Sequence, residues 1–476
     1  MSGRTMRAVV LALAICGAAG AHLHADDVAD PRGERTGGAT TVFANGRNAF
    51  SFPFANLSDA ERTRFAIGNS FFRRNWVEAP SSTQARDGLG PLFIARSCGG
   101  CHDQDGRGAP PASSDARTEP AVALLLRLSV PGAGPHGGPR PDPVYGDQIA
   151  NAAVQGVMPE ARIVIEHVAM PGRFADGTRY LLQRPHYRLE DLAYGPVAPS
   201  LLMSPRIAPQ LAGIGLLAAI ADADIERNAR EQAAAGGPVR GTVNRVWDAP
   251  SASMRVGRFG WKANVASLAH QTAAAFNGDM GITSTLFPDE SCTVAQAACT
   301  AAPRGGPGGK GPEIDDATLA QVVFYQATLA PAARRKPNAA QVVFGQRLFA
   351  QAQCAACHRP SYVTGPVTGA DGGSTAAAGQ RIWPYTDLLL HDMGDALADG
   401  RPDFVASAAQ WRTPPLWGVG LIRDVNGHQR LMHDGRADGT LQAILWHGGE
   451  AAASRDHVLR MSRAEREALI TFVDSL

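Results

Sequence analysis

The chain has 476 residues, 45 lysines and arginines against 44 aspartates and glutamates, and a formal charge of +1. That length accommodates two to three domains with full cores, and the even charge balance excludes a nucleic-acid binder relying on a broad basic face. The 52 glycines and 33 prolines argue for long loops between helices and against a repeat solenoid.

In chain order, the first segment reads as a leader. MSGRTMR is a basic n-region, AVVLALAICGAAG a short apolar stretch, and Ala19-Gly20-Ala21 a small-residue cleavage site, so residues 1–21 are expected to be a signal peptide and the mature chain to be exported to the periplasm. The apolar run is too short to cross a bilayer and nothing later is long enough, so no transmembrane segment is expected. Bulky Ile15 before Cys16 argues against a lipoprotein. Residues 26–80 read as a polar, Phe-rich wrap without assignable chemistry. Then comes LFIARSCGGCH, residues 92–102. The stretches ARIVIEHVAM and TRYLLQRPHYRLE around a Gly-containing turn predict a β-hairpin at about 161–190. Residues 200–232 and 262–277 read as helices. Cys292 and Cys299, in ESCTVAQAACT, are expected to close a small disulfide loop in an oxidising compartment; their spacing disfavours the rival reading, a redox-active dithiol. DDATLAQVVFYQATLAP reads as a helix leading to a boundary near 331–337. Residues 348–358, LFAQAQCAACH, then repeat the earlier stretch: Leu-Phe, four residues, Cys-x-x-Cys-His. The chain ends in SRAEREALITFVDSL, a helix with a Ser cap and Glu three positions on.

Cys-x-x-Cys-His is the attachment signature of c-type haem. Two thioethers three residues apart anchor two vinyl positions of one porphyrin, and the following His ligates iron. A redox dithiol or half a zinc site explains neither the immediate His nor its recurrence after the same Leu-Phe. Cys98, Cys101 and His102 are therefore expected to hold one covalently bound haem, and Cys354, Cys357 and His358 a second. TQARDGLGPLFIARS and NAAQVVFGQRLFAQAQ are expected to lead in as helices. Two more stretches recur in the same order: RIAPQLAGIGLL (206–217) with RTPPLWGVGLI (412–422), and GRFGWKANVASLAHQ (257–271) with MHDGRADGTLQAILWH (432–447). Three matches in one order indicate duplication. The expected fold is mainly α: two cytochrome c-like haem domains, at 81–330 and 338–476, with loop-rich insertions and a small β-hairpin.

Through GRFGWKA, DMGITS, PYTDLLLHDMG, WRTPPLWGVG, LMHDGRA and LWHGGEA the chain resembles the bacterial di-haem cytochrome c peroxidase superfamily, and most closely its di-haem oxidoreductase branch, over most of 81–476. In those peroxidases a Trp, a Leu seven residues later and a Gln ten residues after the Trp lie on the distal side of the first haem. Trp261, Leu268 and Gln271 keep that spacing, which implies that Trp261 conducts electrons between the haems. Read without the resemblance, Trp261 and Leu268 are core residues of an amphipathic helix and Gln271 a solvated one. The family's catalytic Glu-Met corresponds to Asp279-Met280, two residues closer and one methylene shorter. Its second-haem Met ligand corresponds to His447, fourteen residues after His433, which implies His358/His447 ligation with Met393 and Met432 as rivals. Arg412 and His433 would lie near propionates, and His391 would pack structurally near the second porphyrin. The first haem would be open, or capped by His136, His167 or His186. The resemblance implies an exported peroxidase-type oxidoreductase. Electrons would come from a small cytochrome or copper protein, enter at the C-terminal haem, and reach a small oxidant at the open N-terminal haem. An electron carrier with two six-coordinate haems and a thiol oxidoreductase are the alternatives. Calcium, which the superfamily often holds between its domains, has no identifiable ligands here.

Overall fold

The computed structural model describes residues 32–111, 122–367 and 369–476. The expected signal peptide at 1–21 and the start of the wrap at 26–31 lie outside the described residues. Six helices frame the site: α1 (Asp59–Arg73), α2 (Leu268–Met280), α3 (Asp316–Ala327), α4 (Ala340–Gln351), α5 (Gly439–Trp446) and α6 (Arg463–Ser475). Their starts follow local chemistry. Ser58 and Ser462 each close a capping box with the Glu three residues on, Glu61 and Glu465. The hydroxyl of Ser267 accepts from His270 N, and Asp315 accepts from Thr318 N.

Two of these helices lie on two others through single glycines. A Cβ on Gly68 of α1 would overlap Gln321 O of α3, and one on Gly345 of α4 would overlap Ala468 O of α6. Four residues beyond each glycine stands a phenylalanine. Phe72 lies 5.1 Å from the ring of Tyr325 on α3 and 6.3 Å from that of His102. Phe349 lies 5.2 Å from Phe472 on α6 and 6.3 Å from His358. The duplication is thus physical, and α1 belongs to it although it falls in the stretch read as a wrap without chemistry. The Arg-Pro boxes repeat as well. Each begins at the end of a strand, enters a helical turn through a left-handed glycine (Gly213, φ +78°; Gly418, φ +70°), and sets a second glycine against a helix-end carbonyl, Gly215 at Ala327 O and Gly420 at Asp474 O.

Gly345→Ala tests this packing. Alanine favours an isolated helix by roughly 1 kcal/mol, but here its methyl must push α4 off α6. A net loss of about 1–3 kcal/mol is expected, read as a lower urea midpoint at unchanged slope. Gly237→Ala, where an added Cβ meets nothing within 4 Å, should leave the midpoint in place.

The chain is not mainly α, however. About 33% is helical and 20% strand, in many small sheets, which overturns the expected mainly-α, cytochrome c-like fold class. The main strands are β1 (Leu124–Ala133), β2 (Arg162–Arg173), β3 (Arg179–Glu190), β4 (Leu202–Ile207) and β5 (Gln410–Arg412). The stretch before the first Cys pair, expected to be helical, is extended at Asp87–Leu89 and Leu92–Phe93. Gly88 at φ +93°, Gly90 and Pro91 cannot propagate a helix there. The helix expected from residue 200 gives way to β4, paired antiparallel with β1, and helices follow only at Ile214–Ala218 and Asp222–Ala235. The helix expected from 262 starts at Leu268, so Trp261 stands in the turn before it. The hairpin falls where the sequence puts it: β2 and β3 pair over their whole length, and its tip is tied to α6 by Arg466, which bonds Asp176 at 2.8 Å and covers Phe174 at 3.9 Å. Cys292 and Cys299 form the expected disulfide, with Cys299 buried. Among the described residues, no helix is long and apolar enough to cross a membrane.

Candidate functional site: two linked cavities

The N-terminal Cys-x-x-Cys-His unit opens on a cavity of about 640 Å³, lined by Cys98, Cys101, His102, Trp261, Gln271 and Asp279 among others. That volume lies within the usual range for cofactor sites. Cys98–Cys101 is one helical turn, and His102 N donates to Cys98 O, so both sulfurs and the imidazole come from a single loop of backbone. Both thiols are unpaired. Burial first, then the charge of Asp279, pushes Cys98 up to about 12 and Cys101 higher still. Thiols held neutral argue against a reactive dithiol, which needs thiolate. His102 is held neutral by burial, and its Nδ1 is buried without a partner. An orphaned imidazole nitrogen beside two free thiols fits a haem.

Gln271 and Asp279 both line this cavity from α2, eight residues and therefore about 12 Å apart along the axis. Asp279 is fixed by Gln148, whose Nε2 donates to Oδ1 at 2.8 Å. Burial raises its pKa, against the charge of Arg127. The Gln271 side chain makes no hydrogen bond to the described residues. Of the three histidines considered as caps, only His136 lines the cavity; it is exposed and stacks on Trp247 at 3.8 Å. His167 and His186 sit exposed on the hairpin and do not line it. His270 does, but its Nδ1 accepts from Ala249 N. When neutral it therefore carries its proton on Nε2 and has no lone pair left for iron.

The C-terminal unit opens on a smaller cavity of about 180 Å³, lined by Cys354, Cys357, His358, Met393, Arg412, Met432, His433 and His447 among others. Burial pushes Cys354 up to about 12 and raises Cys357 as well. His358 Nδ1 meets Tyr385 O at 2.9 Å, and His447 Nδ1 meets Ala443 O at 2.7 Å. A carbonyl only accepts, so both rings carry hydrogen on Nδ1 and a lone pair on Nε2. Burial holds both neutral, His358 down to about 4. His433 lies flat on Trp411 at 3.7 Å; its Nε2 is buried without a hydrogen bond, 3.8 Å from Asp434 Oδ2, and burial brings it down to about 3. His391 is different. Its Nε2 bonds Asp387 at 2.8 Å and its Nδ1 bonds Glu450 at 2.7 Å; against burial, Asp387, Cys357 and Glu450 push it up to about 12. A clamped imidazolium has no lone pair for a metal. It packs 3.7 Å from Cys357 Sγ.

Arg107, Trp261 and Arg412 line both cavities. Trp261 is buried; its indole N–H donates to Ile207 O at 2.8 Å and its carbonyl accepts from Arg412 N at 2.9 Å.

Two cavities, each with free thiols and a neutral imidazole, and sharing Trp261 in their walls, define a protein built around two haems with an oxidoreductase role. The family model described as "Di-haem oxidoreductase, putative peroxidase" matches residues 31–156 and 195–476, and the chain belongs to that family. No curated protein and no solved structure matches the chain. The gap at 157–194 encloses the β2–β3 hairpin, so the hairpin lies outside the matched residues. The match starts at residue 31 and takes in α1, ahead of the region that the sequence motifs cover.

Proposed function

We propose that the chain is an exported, periplasmic oxidoreductase of peroxidase type with two covalently attached c-type haems. Thioethers from Cys98/Cys101 and Cys354/Cys357 would hold the porphyrins, with His102 and His358 as iron ligands and His447 as the second ligand at the C-terminal site. Export is supported by the leader pattern of residues 1–21 and by a disulfide that needs an oxidising compartment. One observation carries the reading: the cavities are unequal. The smaller is lined by two half-buried histidines with free Nε2 lone pairs; the larger is lined by the His102 imidazole, an amide and a carboxyl, and its other histidines are exposed or already bonded at Nδ1. That is the division between an electron-transfer site and a reactive one.

When bound, the haems supply the iron chemistry and the electrons for cleaving an O–O bond. The chain supplies the rest. Gln271, free of internal hydrogen bonds, orients the oxidant through its amide. Asp279, some distance along α2 from Gln271, holds a proton more readily than a solvated carboxyl, because burial opposes its ionisation, and so can store a proton in the cavity wall. Trp261 joins the cavities. Reduction of hydrogen peroxide to two waters would consume two electrons, donated singly by a small cytochrome or copper protein, and two protons; a haem held by Cys354, Cys357, His358 and His447 would supply the entry point for those electrons.

The processed protein should weigh two haem adducts more than its polypeptide, with one high-spin and one low-spin iron by electron paramagnetic resonance. Gln271→Ala should retain both haems and lose on the order of 10²-fold in peroxide turnover. Two low-spin haems in every redox state, or unchanged turnover in Gln271→Ala, would overturn the proposal.

A further inference from the structure

The molecule pairs most of its buried cations with carboxylates. Arg206 and Arg401 share Asp403 at 3.0 Å, Lys262 holds Asp399 at 2.9 Å, and Arg436 holds Asp434 at 2.8 Å. Arg107 departs from that pattern, as does Arg412, which bonds only the carbonyls of Gly260 and Thr413. Arg107 is 6% exposed, yet its Nε donates to Arg430 O at 2.7 Å, its Nη1 to Gln210 Oε1 at 3.2 Å and its Nη2 to Met432 O at 2.6 Å, all neutral acceptors. No carboxylate among the described residues lies within ion-pair distance. Asp434, the acid whose charge reaches it, is already held by Arg436. Burial pulls the Arg107 guanidinium down to about 9, which leaves it a cation at neutral pH.

A guanidinium has five N–H groups. Three are used, and one hydrogen remains on each terminal nitrogen, the pair that a carboxylate takes with two parallel bonds. Burying such a charge unpaired is costly, so an anion is missing from its surroundings. Arg107 lines both cavities and lies 4.9 Å over the ring of Trp261, which lines both as well. Porphyrin propionates are the carboxylates that the two cavities would bring there.

Resting on the two-haem reading above, we infer that Arg107 is a counter-ion shared by the two cofactors: its free N–H pair binds a propionate carboxylate where the cavities meet, and its charge raises the reduction potential of both haems together. A cation favours the form holding the extra electron, and in a buried setting it acts across both cavities. Arg107 would thus keep the two haems in step, where a cation lining one cavity shifts one haem alone. Arg455 is such a control. It lines the C-terminal cavity only and pairs with Asp456 at 2.7 Å.

The test is a spectroelectrochemical titration of the holoprotein after mass spectrometry has counted its haems. Arg107→Gln should keep two adducts and lower both midpoints by a tenfold shift in each one-electron equilibrium, about 59 mV. Arg107→Lys, which keeps the charge, should stay within threefold of the wild type at both haems. Arg455→Gln should move the C-terminal midpoint alone. A shift at one haem only in Arg107→Gln, or a tenfold fall in Arg107→Lys, overturns the inference while the two-haem reading stands. If Arg107→Gln loses a haem, the Arg107→Lys result decides alone. A wild-type protein without two adducts overturns both.

Discussion

His447→Ala is expected to turn the C-terminal haem from low-spin to high-spin and to cut turnover at least tenfold, about 1.4 kcal/mol of barrier, while the N-terminal haem keeps its spectrum. The expectation follows from which nitrogens in the smaller cavity are free to bind. His391 is excluded, because both of its nitrogens are committed to carboxylates. His433 has a buried Nε2 without a hydrogen-bond partner, but its ring is pinned flat on Trp411, its carbonyl holds Ile207 N, and Asp434 lies 3.8 Å from that nitrogen. His358 and His447 remain. Each is fixed at Nδ1 by a backbone carbonyl, an arrangement that sets the tautomer, orients the ring and raises the basicity of the other nitrogen. A bis-histidine haem also has a lower potential than one with a methionine ligand. His447→Met should therefore stay low-spin with a raised midpoint, and added imidazole should restore the low-spin spectrum of His447→Ala. An unchanged spectrum in His447→Ala would assign the position to Met393 or Met432, which line the same cavity.

What the sequence discloses depends on how local the physics is. Cys-x-x-Cys-His is conspicuous because its three side chains come from one short loop whatever surrounds it. The capping box at Ser462 and the hairpin's alternation are equally local, and both elements lie where they are expected. The helix expected before Cys98 fails for an equally local reason that the Leu-Phe repeat obscured: Gly88, Gly90 and Pro91 outweigh the likeness to α4. Long-range contacts are another matter. That α1 serves the first site as α4 serves the second depends on Gly68 meeting Gln321, far along the chain. The usable signal is Gly-x-x-x-Phe, present in FAIGNSFF and again in VFGQRLF, away from the cysteines. Histidine roles were the least legible. Pattern alone could not tell that His167 and His186 project from the hairpin, or that Ala249 N occupies His270. Arg107 carried no signal either, since an arginine is usually exposed and only the fold leaves this one buried without a carboxylate.

Trp261→Phe is expected to slow electron transfer between the haems by on the order of 10²-fold, about 2.7 kcal/mol in barrier terms, with both haems retained and their spin states unchanged. Phenylalanine is the useful replacement. Alanine would leave a hole between the cavities at a cost of roughly 3–5 kcal/mol, and a slowed rate could then reflect altered haem placement. Phenylalanine keeps the ring against Arg107 but gives up the indole N–H, which leaves Ile207 O without that donor at a cost of about 1–3 kcal/mol. A denaturant midpoint measured alongside the rate separates the two effects: a stability loss of that size with a hundredfold slower transfer makes the indole the conduit. The same loss with an unchanged rate would move the route to another bridge that lines both cavities, and the Arg107–Gln210 pair, which also lines both and is joined by a 3.2 Å hydrogen bond, is the one to test next.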